Sequence, residues 1–327
     1  MKRILPTLLV LAGAAAAQAQ SSVTIYGRLD LSVTKQNAGT SSLTASNGQL
    51  GAAGNRWDVR HGSESRLGFM ASEDLGGGLR AGFQIEHRFL ADTGVADPVF
   101  WKARSYVYLD SKTLGNVYLG REYIPLFWPA LKLDPWAWDT VGSPSLNHQL
   151  ATYRIDGHAR ANNSVGYKSP RLGDFSFNVA VSAGEGTRPR STGGNVEYAA
   201  GPLYLAAAFD RQTSNQHVEL VGGAYDFGVI RPRLTYTRST VAGIKNTNIT
   251  LAASVPVGTH IARVAVTRLD PDGGNNDITK VGLGYEHLLS KRTSLYTDVG
   301  SAKQQGNLAG SARTRTTAVD FGLKHNF

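Results

Sequence analysis

Residues 319–327 read VDFGLKHNF, with Val319, Phe321, Leu323, His325 and Phe327 at every second position and Asp320, Gly322, Lys324 and Asn326 between them. A period of two marks a strand with one apolar and one polar face, and this strand ends on an aromatic residue. The same alternation fills residues 22–33, SVTIYGRLDLSV, where Val23, Ile25, Leu29, Leu31 and Val33 face one way and Tyr26, Arg28 and Asp30 the other. What lies between these two strands decides the architecture.

Fourteen further segments repeat the pattern, at residues 65–75, 79–90, 103–110, 116–121, 162–169, 175–183, 195–200, 203–211, 217–227, 230–240, 248–257, 260–269, 278–289 and 293–303. Short connections (76–78, 113–115, 201–202, 258–259) alternate with long polar ones (35–55, 91–100, 184–194, 270–277). That is an up-and-down meander of sixteen strands with turns at one end and loops at the other. An even number returns the C-terminus to the side on which the N-terminus starts. The expected fold is all-β, a 16-stranded antiparallel transmembrane β-barrel, whose strands need ~9–11 residues to cross and whose closure leaves no unpaired edge. Alternation alone does not separate a lipid face from the core of a secreted β-sandwich. The terminal strand favours the barrel, because an alternating strand ending in Phe327 resembles the assembly signal of outer-membrane proteins.

Composition sets the bounds. Lys2 and Arg3, an apolar run over residues 8–17 and the small-x-small triplet Ala17-Gln18-Ala19 read as a secretory signal peptide over residues 1–19, leaving the barrel to residues 20–327. No later run approaches the ~18 apolar residues of a membrane-spanning helix. With no cysteine in 327 residues there is no disulfide framework. A formal charge of +9 stays positive without the two leader cations, yet the basic residues are dispersed and no nucleic-acid-binding motif accompanies them. Eight histidines show no metal-ligand spacing, and DPDGGNND at residues 270–277 lacks the closing glutamate of a calcium loop, so neither metal nor cofactor is expected.

The longest break, residues 122–161, reads EYIPLFWPALKLDPWAWDTVGSPSLNHQLATYRIDGHARA. Pro125, Pro129, Pro135 and Pro144 forbid a sheet ladder or an uninterrupted helix, while Trp128, Trp136 and Trp138 are more aromatic mass than a surface tether carries. The segment is expected to be ordered, with the three tryptophans as packing anchors.

Five stretches together carry a resemblance: QSSVTIYGRLDLSV (20–33), SRLGFMASEDLGGGLRAGFQIE (65–86), VYLGRE (117–122), RANNSVGYKSPRLGDFSF (160–177) and GLKHNF (322–327). They are similar to the general porins of Gram-negative β-proteobacteria. That resemblance implies a homotrimer in outer-membrane lipid, inserted by the outer-membrane assembly machinery, and a third loop, residues 122–161, folded inward as the pore constriction. It also implies passive diffusion of small hydrophilic solutes and ions. The loop's PLFWPALKLDPW departs from the shorter glycine-containing pattern of many relatives.

If Val23, Ile25 and Leu29 face lipid, Arg28 faces the lumen, and the same parity puts Arg66, Arg80, Arg88 and Arg104 on a basic wall, to which Arg121 is added as a further constriction candidate. Glu122, Lys132, Asp134 and Asp139, with Arg154, Asp156 and Arg160, are expected to face it from the loop. The loop's charges nearly balance and the chain is net basic, so small anionic solutes are expected to be preferred. The alternative is an outer-membrane barrel enzyme of lipase or protease type, with catalytic groups assembled across strands.

Overall fold

The computed structural model describes residues 22–37, 55–144, 159–186, 189–272, 277–305 and 315–327. The expected leader, residues 1–19, lies outside them, as do Arg154 and Asp156. In chain order the strands are β1 (Ser22–Gln36), β2 (Trp57–Arg60), β3 (Ser65–Gly76), β4 (Leu79–Leu90), β5 (Val95–Ala96), β6 (Arg104–Ser111), β7 (Gly115–Tyr123), β8 (Arg160–Lys168) and β9 (Phe175–Ser182). The second half adds β10 (Ser191–Ala200), β11 (Leu203–Thr213), β12 (Gln216–Tyr225), β13 (Arg231–Val241), β14 (Ile244–Val257), β15 (His260–Pro271), β16 (Ile278–Leu288), β17 (Thr293–Gln304) and β18 (Arg315–Asn326). Setting aside the short β2 and β5, each long strand pairs antiparallel with its neighbour in sequence, and β1 pairs with β18. The result is a closed 16-stranded antiparallel β-barrel.

Closure is made at residues 27 and 327. Gly27 and Phe327 exchange both backbone hydrogen bonds at 3.1 Å, and the register then runs Leu29 to His325, Leu31 to Leu323 and Val33 to Phe321. Those pairs put the apolar residues of both ends on one face. That face points out: Val23 and Ile25 are 62% and 59% exposed, while Asp30 on the other face is fully enclosed. The pattern repeats around the wall, with Leu234 and Tyr236 of β13 outside and Thr235 and Thr237 inside. A soluble sandwich would bury the Val and Leu face; here it is the polar face that is enclosed, as in a membrane barrel. No helix of the described residues is long and apolar enough to cross a membrane, so crossing falls to the strands.

Inside the wall, four tyrosines sit directly opposite glycines: Tyr26 and Gly68, Tyr108 and Gly82, Tyr118 and Gly166, Tyr296 and Gly322. A Cβ on any of these glycines would fall between 2.1 and 2.4 Å from the facing ring. Each ring lies flat across the space its partner leaves open, covering backbone that a bare glycine would expose. The two ends of the barrel are less regular than a strict alternation of turns and loops. On the loop end, β11 passes to β12 through residues 214–215, and β13 to β14 through Ala242 and Gly243, whose φ angles of 50° and 84° fit a tight two-residue hairpin. The rim is therefore low over β11–β14.

Substituting Gly27 with Val should disturb closure, because its Cβ would fall 2.3 Å from the Phe327 ring and 2.5 Å from the Arg66 carbonyl oxygen. The folded, heat-modifiable form should drop sharply in semi-native electrophoresis while Thr93→Val, at an exposed loop position, keeps it; equal folding of the two variants would contradict this account of the seam.

Candidate functional site

The segment after β7 turns into the barrel. Phe127–Leu133 forms a short helix, α1, which the prolines permit because Pro129 is only its third residue. Pro135 then forces Asp134 into extended geometry, φ −94° and ψ 119°, and the helix stops. This helix packs against β11, β12 and β13. Its apolar side, with Tyr123, Ile124, Leu126, Phe127 and Leu133, meets Ala208, Val218 and Leu220 of the wall. Val218 and Leu220 are inward-facing, fully enclosed large apolar residues of β12, and they are the seat of the helix. Phe127 stacks on Tyr123 at 3.7 Å and meets Trp138 edge-on at 4.7 Å.

Beyond α1 the chain runs along the inside of β15–β18 toward β1. It can lie that close because the wall is floored with glycine. A Cβ at Gly282 would fall 1.8 Å from the Gly142 carbonyl oxygen, one at Gly300 2.1 Å from that of Val141, and one at Gly284 2.6 Å from the Trp136 indole nitrogen. Polar contacts fix the path. The Trp136 indole donates to Asp298 Oδ1 at 2.5 Å, the Val141 amide to Asp320 at 3.2 Å, and Thr140 N to the Gly62 carbonyl at 2.8 Å. Arg263 Nε donates to the Pro135 carbonyl at 2.8 Å, and Asn195 to that of Pro125. Ala137, Trp138 and Thr140 take φ values of 53°, 68° and 62°, a region that non-glycine residues hold only where their surroundings over-determine it.

Asp134, Asp139 and Lys132 have three different situations. Asp134 is buried, accepting from the Trp136 amide at 2.8 Å and the Ser143 hydroxyl at 2.6 Å, with the buried Lys280 nearby. Burial pushes its pKa up to about 6 despite those donors. Asp139 lies on Arg28, Oδ2 to Nη1 at 2.9 Å, so loop and wall touch here instead of facing each other across open water. Lys132 is exposed at the far side of α1 and binds Glu197 of β10.

The arginines separate likewise. Arg28, Arg66 and Arg88 are register neighbours on β1, β3 and β4, a row of three guanidiniums on adjacent strands. Directly opposed like charges are unfavourable in a sheet, and acids answer two of the three. Arg28 has Asp139; Arg88 has Glu86 at 2.7 Å and donates to the Tyr123 hydroxyl at 3.1 Å. Glu64, beside Arg88, is raised by burial but lowered further by Arg88, Arg160 and Lys102, and ends well below the usual carboxylate range. Arg66 has no carboxylate partner among the described residues, and its buried Nε has no acceptor. Arg80 is not brought to this row: it pairs with Asp110 at 2.7 Å near the turn end, eight residues down the same strand from Arg88.

Arg121 departs from the expectation of a lumen-facing wall. It pairs in register with Ser105, as Leu119 pairs with the outward Val107, and so sits on the outer side of β7, donating to the Lys102 carbonyl at 2.7 Å and to Asn162. A register shift between Gly120 and Glu122 follows it. Glu122 beyond the shift is enclosed, 3.1 Å from Arg104 and 3.4 Å from Lys168, a clasp at the root of the loop instead of a charge in the channel. Trp128 closes this clasp, its ring 4.8 Å from the Arg104 guanidinium.

On the turn side of the loop two bays of about 600 and 550 Å³ open in the lumen. Arg80, Lys168 and Arg171 line one with Asp110; Lys132, Arg231 and Arg233 line the other with Asp226. Cations thus outnumber acids in both. The row, the bays and the loop make a wet passage whose unbalanced charge is positive.

Comparison with known proteins is consistent along the whole chain. A family model described as Gram-negative porin matches residues 7–307. "Outer membrane porin protein 32" of Delftia acidovorans is 32% identical over the full length of both chains, and an outer membrane porin protein of Bordetella pertussis is 27% identical, also over both full lengths. Among solved structures, an anion-selective porin from Comamonas acidovorans superposes with a TM-score of 0.81 and 28% identity, covering 94% of this chain and 100% of that one.

Two outcomes are expected from the loop. Asp139→Asn removes the acid on Arg28 and should move the zero-current potential in a salt gradient toward the anion side; a move toward cations would contradict the contact. A carboxyl whose folded pKa is raised stabilises the fold fully at low pH and loses that contribution as pH climbs through the folded value. Raising the pH from about 4 to about 7 should therefore lower the unfolding temperature more in the wild type than in Asp134→Asn, and equal slopes would remove Asp134 from the account.

Proposed function

This chain belongs to the Gram-negative porin family and is an outer-membrane porin, a water-filled channel for passive diffusion of small hydrophilic solutes, and from that premise we propose that its pore prefers anions. The observation that carries this reading is the row Arg28, Arg66 and Arg88, with no carboxylate of the described residues within ion-pair distance of Arg66. Arg160 and Arg233 likewise have no carboxylate partner there; Arg160 donates to the Tyr123 hydroxyl at 2.7 Å and Arg233 to Ser254 at 3.0 Å. Charges on the wall of a narrow passage act on an ion within the ~8 Å Debye length of physiological salt. An anion ~4 Å from one unpaired guanidinium gains ~1 kcal/mol even at the dielectric of water, close to fivefold in occupancy, and a cation loses as much. The relative described as anion-selective supports the same sign. In this reading Arg28, Arg66 and Arg88 form the basic wall, residues 122–161 form the constriction, and Asp139 trims the field at Arg28.

Assembly follows the same premise. Residues 1–19 act as the export signal, and Phe327 is the assembly signal that outer-membrane machinery reads before it takes its place on Gly27. The protein works as a homotrimer, docked through the outward side of β3 and β4. There Phe69, Phe89, Phe100, Trp101 and His87 form one aromatic patch, His87 stacked on Phe100 at 4.3 Å and Phe100 against Trp101 at 4.8 Å. The family is one of channels, and the barrel-enzyme alternative is not favoured.

Single channels in a planar bilayer under a potassium chloride gradient test the selectivity. The expected zero-current potential has the anion-selective sign, and Arg66→Gln should reduce the anion-to-cation permeability ratio by up to about 25-fold, about fivefold from each ion. A cation-selective wild type would overturn the proposal.

A further inference from the structure

The outer wall is studded with Val and Leu except at the turn end of β15–β18, where it carries imidazoles. His260 and His287 are register partners with rings stacked at 4.6 Å and Nδ1 atoms 3.1 Å apart, and the Tyr285 hydroxyl lies 2.6 Å from His260 Nδ1. One hydrogen serves the contact between the two Nδ1 atoms, so in the neutral pair one ring offers an Nε2–H donor and the other Nε2 is an acceptor until that ring is protonated. His325 follows on β18, held by Thr293 at 2.9 Å, and the turn between β16 and β17 adds the exposed Lys291 and Arg292. On this face the turn-end halves of these four strands present no carboxylate among the described residues; Glu286, Asp298 and Asp320 all point inward.

A trough of about 680 Å³ starts at this polar end and runs obliquely across the wall. It follows the register, from His287 to Leu295 and Leu323, and beside them from Tyr285 through Thr297 to Phe321 and Val33. Thr297 is the short side chain in its middle, between Tyr285 and Phe321. One end therefore offers hydrogen-bond donors, with the exposed cations Lys291 and Arg292 on the adjoining turn, the other only hydrocarbon, and the whole lies on the face that an outer-membrane barrel turns to lipid.

We propose that this trough is a phospholipid site, with one acyl chain along Leu295, Leu323 and Phe321 and the phosphate on His260, His287 and Arg292. The amphipathic match selects the occupant: a neutral sugar headgroup would leave the cations unanswered, and a free phosphate would leave the trough empty. A second copy of the chain fits less well, since the aromatic patch on β3 and β4 lies on other strands and the two cations here would need acids from the partner. The site does not touch the pore, so its fate and that of the selectivity proposal are independent.

The test uses the full-length protein purified in mild detergent and exposed to phosphatidylglycerol, with native mass spectrometry counting bound lipid per chain. The wild type should retain one phospholipid, and retention should fall by about tenfold in Thr297→Trp, which fills the trough, and in the double variant His260→Leu, His287→Leu. Lysophosphatidylglycerol should compete and an alkyl glycoside of equal chain length should not. Both variants should keep wild-type conductance, showing that the barrel is intact. Equal retention by wild type and variants would overturn the site, and so would a Thr297→Cys variant that forms disulfides between copies, because the trough would then be covered by protein.

Discussion

Hydrocarbon offers no partner to an N–H or C=O group, so a sheet that crosses a membrane must leave none at an edge. In this chain that requirement comes down to the pair of hydrogen bonds between Gly27 and Phe327. Everything else is conditional on them. Once β1 and β18 are joined, apolar side chains have only the outside to occupy and polar ones only the inside, and sixteen strands enclose more space than their inward side chains fill. The interior is then wet, and its charges interact with passing ions instead of needing burial in pairs.

The interior also holds the largest buried apolar cluster of the described residues. A loop of apolar and aromatic residues has been turned inward and given a seat by Val218 and Leu220, two positions where the inward face of β12 is not polar. Further on it is given a floor by Gly282, Gly284 and Gly300. Its strained residues persist because both walls of the groove hold them. Rigid placement matters for the charge pattern, since Asp139 reaches Arg28 only if the loop residues before it follow one path.

All sixteen long strands were legible in the sequence because a half-buried strand writes its period of two into side-chain polarity. Which face met lipid was not, since a sandwich core and a lipid face produce the same alternation; the terminal Phe327 and the family resemblance had to supply it. Parity puts Arg28, Arg66 and Arg88 on the inward side, and along β7 it groups Arg121 with the outward Val117 and Leu119, so counting Arg121 to the basic wall ran against the alternation. The contact of Asp139 with Arg28 joins positions 111 apart and depends on the loop's route, so local pattern holds no trace of it. Some of the route was written in the chain: Val218 and Leu220 put large apolar residues at inward parity, and the glycines at 282, 284 and 300 share an inward parity. Those signals read as ordinary strand glycines until the loop is laid over them.

Because Gly282 and Gly300 are each shaped to a backbone carbonyl of the loop, and Gly284 to the Trp136 ring, loop and floor are inherited as one unit. A relative could not exchange its constriction for this one by recombining residues 122–161 alone. With side chains at the positions of Gly282 and Gly300, the incoming segment would stand off the wall and narrow the lumen by an amount unrelated to its own sequence. Diversification of pore width in such a lineage is therefore tied to substitutions on β16 and β17, far along the chain from the loop whose length draws attention first.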